Sequence, residues 1–267
     1  MRGTDSSLAA RDWRNFAGVH ASLRAPLRPA PSDVENFRRS AAGDDKRVLL
    51  LGVTPELSVL GSELTAIDNS PRMLANVWPG DREGRRAILG DWTDLPFASG
   101  SFDAVIGDAS LNAAPEQVDE VLAEARRVLS AGGKLAFRLF CSPEEPETLD
   151  FIRTDVLAGW PGNLHALKWR IAMVLAASAP RATVPVQEIL AAFDRTFPDR
   201  AGLAAATAWP AEDIATLDAY VGADHSLGFP TLSSLKSSIG RHFSDLSVVS
   251  ASDYPLAERC PMVVATR

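Results

Sequence analysis

Between Arg47 and Phe140, short apolar runs alternate with stretches of helical period, and this alternation constrains the fold more than anything else in the chain. Arg47–Leu51, Leu64–Ile67, Arg86–Leu89, Ala104–Ile106 and Lys134–Phe140 read as strands. The first is apolar at nearly every position rather than at alternate ones, as expected for a strand covered on both faces of a parallel sheet. Between the strands lie a short helical piece, Glu56–Glu63, and a helix capped by Asn69-Ser70-Pro71 that runs through Met73 and Leu74. A longer helix opens at Pro115, carries the stripe Val118, Val121, Leu122, Ala125, Val128, Leu129, and is expected to stop at Gly132-Gly133. Strands and helices in this rhythm predict an α/β fold with a doubly wound, mostly parallel sheet. Leu246–Ser250 and Met262–Thr266 add two more strands, bringing the sheet to about seven.

The flanking segments differ in character. Residues 1–43 show no strand pattern. Ser7–His20 suits a helix with Trp13, Phe16 and Ala17 on one side, broken by Pro26, Pro29 and Pro31, and Ser32-Asp33 caps a short helix through Phe37. This segment reads either as packing or as a lid from which Arg24 and Arg28 reach an anionic group. Residues 142–241 are rich in Ala and Pro. Helices are expected over Asn163–Ala177, Val184–Phe197, from Pro210 through Tyr220, and over Thr231–Phe243, with no strand among them. Four parts follow: an N-terminal helical segment (1–43), an α/β core (44–141), a helical cap insertion over the carboxyl ends of the strands (142–241), and C-terminal strands completing the sheet (242–267).

Composition removes several function classes. A net charge of -7 argues against a phosphate backbone or an anionic membrane surface as the main partner. The longest apolar stretch, Ile171–Ala177, is far shorter than the ~20 residues of a membrane span. The N-terminus carries no apolar secretory core, and two cysteines without ligand spacing suit a reducing compartment, so a soluble, cytoplasmic protein is expected. The four histidines are scattered, so no metal site is expected.

One run carries more than fold information. Ala87–Ile106 reads AILGDWTDLPFASGSFDAVI. It resembles the adenine-binding region and following strand of class I S-adenosylmethionine-dependent methyltransferases, often G-D-x-x-x-L-P-F, a Gly/Ser gap, then F-D-x-V. Val121–Phe140, VLAEARRVLSAGGKLAFRLF, resembles the same family's helix and fifth strand, with Ser130-Ala131 in place of the usual residue-plus-Pro. The resemblance covers roughly residues 45–140 and implies a Rossmann-like sheet, S-adenosylmethionine as cofactor and a small-molecule methyl acceptor. It departs at the first loop, where the usual acidic-x-G-x-G-x-G is Leu50-Leu51-Gly52-Val53-Thr54-Pro55-Glu56. Two glycines are lost and Pro55 has no N–H to donate. Because S-adenosylmethionine has no pyrophosphate, this loss argues more against a nicotinamide dinucleotide than against it.

By position, the resemblance gives Asp68 to the ribose hydroxyls, Asp91 to the adenine amino group with Trp92 against the ring, and Asp108 to the methionine end and the acceptor. Gly52, Thr54, Asn69 and Met73 join the cofactor set, and Glu56 is the candidate for the methionine amino group. Asn112, Trp169 and Tyr220 are candidates for the acceptor, with His225 a weaker one. If a base is needed, Asp108 and His165 are the choices. Each has a plainer alternative: strand-end Asp residues cap turns, and His165, Lys168 and Trp169 share a helix face. Arg138, on a strand that should be buried, implies an ion pair or a ligand contact. The expected activity is methyl transfer to a small hydrophobic or aromatic molecule. Other chemistry on S-adenosylmethionine and a catalytically silent, methyltransferase-like partner protein are the alternatives, and a homodimer stays open.

Overall fold

The computed structural model describes residues 18–251 and 253–267, so most of the helix expected over Ser7–His20 lies outside the described residues. Seven strands form one sheet in the order β3-β2-β1-β4-β5-β9-β8. They are β1 (Arg47–Leu51), β2 (Glu63–Asp68), β3 (Arg85–Leu89), β4 (Phe102–Asp108), β5 (Leu129–Arg138), β8 (Ser244–Val249) and β9 (Met262–Thr266). The first five are parallel; β9 is antiparallel to β5, and β8 to β9. The winding reverses between β1 and β4, which opens a crevice at their carboxyl ends, where such sheets bind ligands.

The continuous apolar run of β1 has the expected cause. Leu49 and Leu51 pack on one side with Val105, Leu135 and α4 (Val118–Val128), while Val48 and Leu50 pack on the other with Phe37 of α1 (Pro31–Ser40). The stripe Val121, Leu122, Ala125 and Val128 of α4 is fully buried. The helix ends at Val128, however, and β5 begins at the next residue. Gly132-Gly133 therefore does not stop the helix; it lies within β5, where the pairing with β4 jumps from Phe102↔Leu129 to Ala104↔Lys134. Gly132 has a positive φ of 74°, so the pair serves a bulge. The piece expected over Glu56–Glu63 is a 3-10 turn, Pro55–Val59. Two short helices, α2 (Pro71–Asn76) and α3 (Ser110–Ala113), follow β2 and β4.

The insertion is helical, with α5 (Leu149–Leu157), α6 (Leu164–Ala176), α7 (Val186–Thr196), α8 (Arg200–Thr207) and α9 (Ala211–Ala215), then a 3-10 turn over Thr216–Tyr220. It also holds a strand pair absent from the sequence reading, β6 (Thr183–Pro185) antiparallel to β7 (Ser226–Gly228). Nearly all of α6 is buried, and its Leu164, Leu167 and Ile171 join Ile189, Phe193 and Leu217 in a second core. The last helix, α10 (Leu232–Gly240), sets Leu235 and Ile239 into the sheet's own core, so it belongs to the core layer rather than to the cap. The chain leaves and re-enters the core side by side, with Ser142 N–H donating to the Pro230 carbonyl and its hydroxyl to that of Phe229. Core and cap thus face each other across the carboxyl ends of the strands.

Candidate active site

A cleft of about 1280 Å³, its open mouth included, lies between the strand ends and the cap. Gly52, Thr54, Asp68, Asn69, Met73, Asp91, Trp92, Asp108, Asn112, Trp169 and Tyr220 all line it, as does His225. Of the proposed site residues only Glu56 and His165 do not. Glu56 is held by Arg28, with Nε of the arginine 2.5 Å from Oε1. His165 is fully buried within the cap, and burial, followed by the charges of Lys168 and Arg24, pushes its pKa down to about 3. An imidazole off the cavity wall and so reluctant to take a proton is not placed to act as the base.

At the sheet end of the cleft, Asp68 closes β2 and is 8% exposed. Its Oδ1 accepts from the Ser70 N–H at 2.8 Å. Burial pushes its pKa up to about 6, and this backbone hydrogen bond is the only opposing influence. Ser70 in turn caps α2 by accepting from the Met73 N–H. Asp91 sits at the rim in an Asx turn, Oδ1 accepting from both N and Oγ1 of Thr93 at 2.8 Å. Trp92 is anchored through Nε1 to the Ile67 carbonyl, which also takes the Gly52 N–H, each at 2.8 Å. The one glycine kept in the first loop is needed there: Gly52 has φ of 101°, and the Trp92 ring packs over it.

Two candidates prove to be committed elsewhere. Asn112 donates from Nδ2 to the carbonyls of Phe140 (2.8 Å) and Gly228 (2.6 Å) and accepts the Phe140 N–H at Oδ1 (3.0 Å). It lines the cleft but works as a staple between core and cap. Asp108 lies 2.6 Å from Nε of Arg138, the ion pair anticipated for that arginine. Burial raises its pKa and the guanidinium opposes that rise. At the cap end, the Trp169 ring stands 5.1 Å from both Phe140 and Phe229, and Tyr220 completes an aromatic enclosure. The sequence reading missed Phe140 and Phe229. The first lies two residues past the end of β5, where the rule that ligands gather at strand ends would have found it; the second follows a three-residue strand with no pattern of its own.

The sequence profile of a family described as a methyltransferase domain matches residues 52–137. The arsenite methyltransferase of Aquipseudomonas alcaligenes is 34% identical over 104 residues, covering 37% of this chain and 30% of that protein. The demethylmenaquinone methyltransferase of Mycobacterium sp. (strain KMS) is 33% identical over 153 residues, covering 57% and 58%. The chain thus matches about a third of the first relative and somewhat over half of the second. Among solved structures, a SAM-dependent methyltransferase of Methanosarcina mazei superposes with a TM-score of 0.50 at 16% identity, covering 90% of this chain and 99% of that one, a likeness of fold. Residues 52–137 thus match a methyltransferase domain, and the sheet that surrounds them has the fold of one.

The matched domain and the fold imply S-adenosylmethionine as the cofactor. The residues fit its nucleoside. Asp68 is a buried carboxylate on the cleft wall with no ion-pair partner among the described residues, so the paired hydroxyls of a ribose would supply the donors it lacks. The glycine-poor loop does not fill the space, since Pro55 is absent from the lining while Gly52, Val53 and Thr54 are in it. Among the described residues, no helix is long and apolar enough to cross a membrane, and no group of three or more His, Cys, Asp or Glu could hold a metal ion.

Proposed function

We propose that this protein transfers a methyl group from S-adenosylmethionine to a small organic acceptor, hydrophobic or aromatic, held between the strand ends and the cap. One observation carries the reading: a single cleft has carboxylates suited to a nucleoside at one end and aromatic rings at the other. When bound, the cofactor supplies an electrophilic methyl group on a positively charged sulfur. Displacement at such a carbon asks the protein to align the partners and exclude water rather than to supply strong acid or base. The cap serves the second need.

On this reading Asp68 accepts from the ribose, Asp91 from the adenine amino group, and Met73, Asn69 and Trp92 border the base. Gly52 and Thr54 border the sugar, and Arg28, which lines the cleft and is held in place by Glu56 behind it, offers its cation to the carboxylate of the amino-acid end. Asp108, neutralised by Arg138, contributes electrostatics rather than proton transfer. The names of the two relatives span an inorganic and an organic substrate, and the residues of this chain favour the organic one. Arsenic(III) is a soft centre that prefers thiolates. The chain has two cysteines, both buried and outside the cleft lining, and burial pushes both thiols up to about 12.

Calorimetry with S-adenosylmethionine and S-adenosylhomocysteine, followed by mass spectrometry on a panel of phenols, hydroquinones and amines, tests the reading. Micromolar binding with a methylated product is the expected outcome. Failure to bind either cofactor form would point to a silent family member, and binding without any product to other chemistry on the cofactor.

A further inference from the structure

Behind the aromatic enclosure lies a cation that methyl transfer leaves unused. Lys168, one residue before Trp169 on α6, is 1% exposed. Among the described residues no hydrogen bond or ion pair is made to its ammonium, and the charge that acts on it is that of Asp213. It lies 5.2 Å from the centre of the Tyr220 ring. The charged groups around it do not cancel it. Asp213 of α9 attracts it from beyond ion-pair distance, but that carboxylate is shared with Arg24 at 3.8 Å. His165, one turn earlier on the same helix, is held neutral. Burial consequently pushes the Lys168 pKa down to about 7.

Tyr220 lines the cleft, and its hydroxyl makes no hydrogen bond to any described residue. Burial raises its pKa, so the hydroxyl keeps its proton and can only donate to an anion. A cation on the face of a phenol ring draws electron density from it and strengthens that donor. The cap end of the cleft therefore combines the rings of Phe140, Trp169 and Phe229, the unpartnered Trp169 Nε1–H, the polarised Tyr220 O–H and a positive charge behind that ring. An uncharged hydrocarbon ring would leave the hydroxyl unmet. A protonated amine would be repelled by Lys168.

We propose that this compartment recognises the conjugate base of a planar phenol or enol, its oxygen anion accepting from Tyr220 with the Lys168 charge behind the ring. On binding, the O–H electron pair stays on the substrate oxygen and the proton leaves to solvent. Lys168 is a positioning residue, acting through Tyr220. The biological sense of the site rests on the methyltransferase reading; its chemistry can be tested without it.

4-Nitrophenol has distinct absorption bands as phenol and phenolate. Added to the protein about one pH unit below its own pKa, with S-adenosylhomocysteine present, it should bind and develop the phenolate band. Tyr220→Phe and Lys168→Met should each lose that band and weaken binding by about tenfold, whereas Lys168→Arg should keep it. Lys168→Met should melt no lower than wild type, because it removes an unpaired buried charge, so loss of the band would not reflect unfolding. A bound nitrophenol that stays neutral, the absence of any binding, or a band indifferent to both substitutions overturns the proposal. So does benzylammonium competing as well as the phenol. Calorimetry with S-adenosylhomocysteine is read separately. If that fails, the methyltransferase reading falls, and the same titration on the protein alone still decides the anion site.

Discussion

At Asp68, the demands of folding and of binding oppose each other. The carboxylate is nearly buried, receives one backbone hydrogen bond and titrates at about 6. In the unfolded chain it would titrate near 4. The folded state therefore holds the proton more tightly than the unfolded state, and stability falls as pH rises through the window from about 4 to about 6. By neutral pH the cost is about 3 kcal/mol, from 1.36 kcal/mol per pKa unit. Asp68→Asn removes the charge while its oxygen can still accept from Ser70. In urea titrations the variant should gain about 1–3 kcal/mol at neutral pH, a gain that vanishes below about pH 4. It should also lose at least about tenfold in affinity for S-adenosylhomocysteine by calorimetry, because a neutral amide accepts more weakly from two hydroxyls. For the wild type, that affinity should weaken as pH falls through about 6. A variant that is less stable and binds unchanged would remove Asp68 from the cofactor site.

Among the elements, the junction of core and cap depends on α3 and β7, which meet through Asn112. Its amide reaches the backbone at Phe140, just past β5 of the core, and at Gly228, in β7 of the cap. The approach is close: a Cβ on Gly228 would come within 2.7 Å of the Pro115 Cβ. Asn112→Asp keeps the shape but removes both donors and brings a carboxylate up to two buried carbonyls. A loss of at least about 2 kcal/mol is expected in urea unfolding, set by the desolvated groups left unpaired. If the cost is within experimental error, the staple is incidental and a role facing the acceptor returns. Elements with a strong period were legible in the sequence. β1, β9 and the stripe of α4 follow directly from their side chains, and Asp68 and Asp91 from their places at strand ends. What escaped was set by tertiary context. Thr183–Pro185 is too short to alternate, Gly132-Gly133 looks like a helix stop but forms a bulge, and α5 and α8 lack a distinct stripe. His165 resembled a base because a helix face does not reveal which of its sides meets the cleft.

The whole molecule is closed by Arg138, whose guanidinium joins segments far apart in the chain. It donates to Asp108 on β4 (2.6 Å), to the Pro26 carbonyl (2.9 Å) and to the Tyr254 hydroxyl (3.3 Å), and lies 3.7 Å from Asp33 of α1. Tyr254 passes the connection on by donating to Asp33 at 3.2 Å. The N-terminal segment held in this way also sends Leu23 and Leu27 into the cap core, while Phe37 and Ala41 enter the core of the sheet. One buried charge thus ties the two termini and, through them, the two cores. Arg138→Met would leave Asp108 and Asp33 as buried carboxylates without their cation. For both, burial already pushes the pKa up against the pull of Arg138. Without that pull both pKa values rise further, so the ionised forms oppose folding at neutral pH, and acidification relieves them by protonation. The variant should lose about 3–5 kcal/mol at neutral pH, and the deficit relative to wild type should shrink as pH falls. Adding Asp108→Asn should restore part of the loss, since one of the two stranded charges is then gone. Thermal melts of the three proteins across pH decide the matter. A loss of Arg138 that costs under about 1 kcal/mol, or that worsens in acid, would mean the termini are held by packing alone.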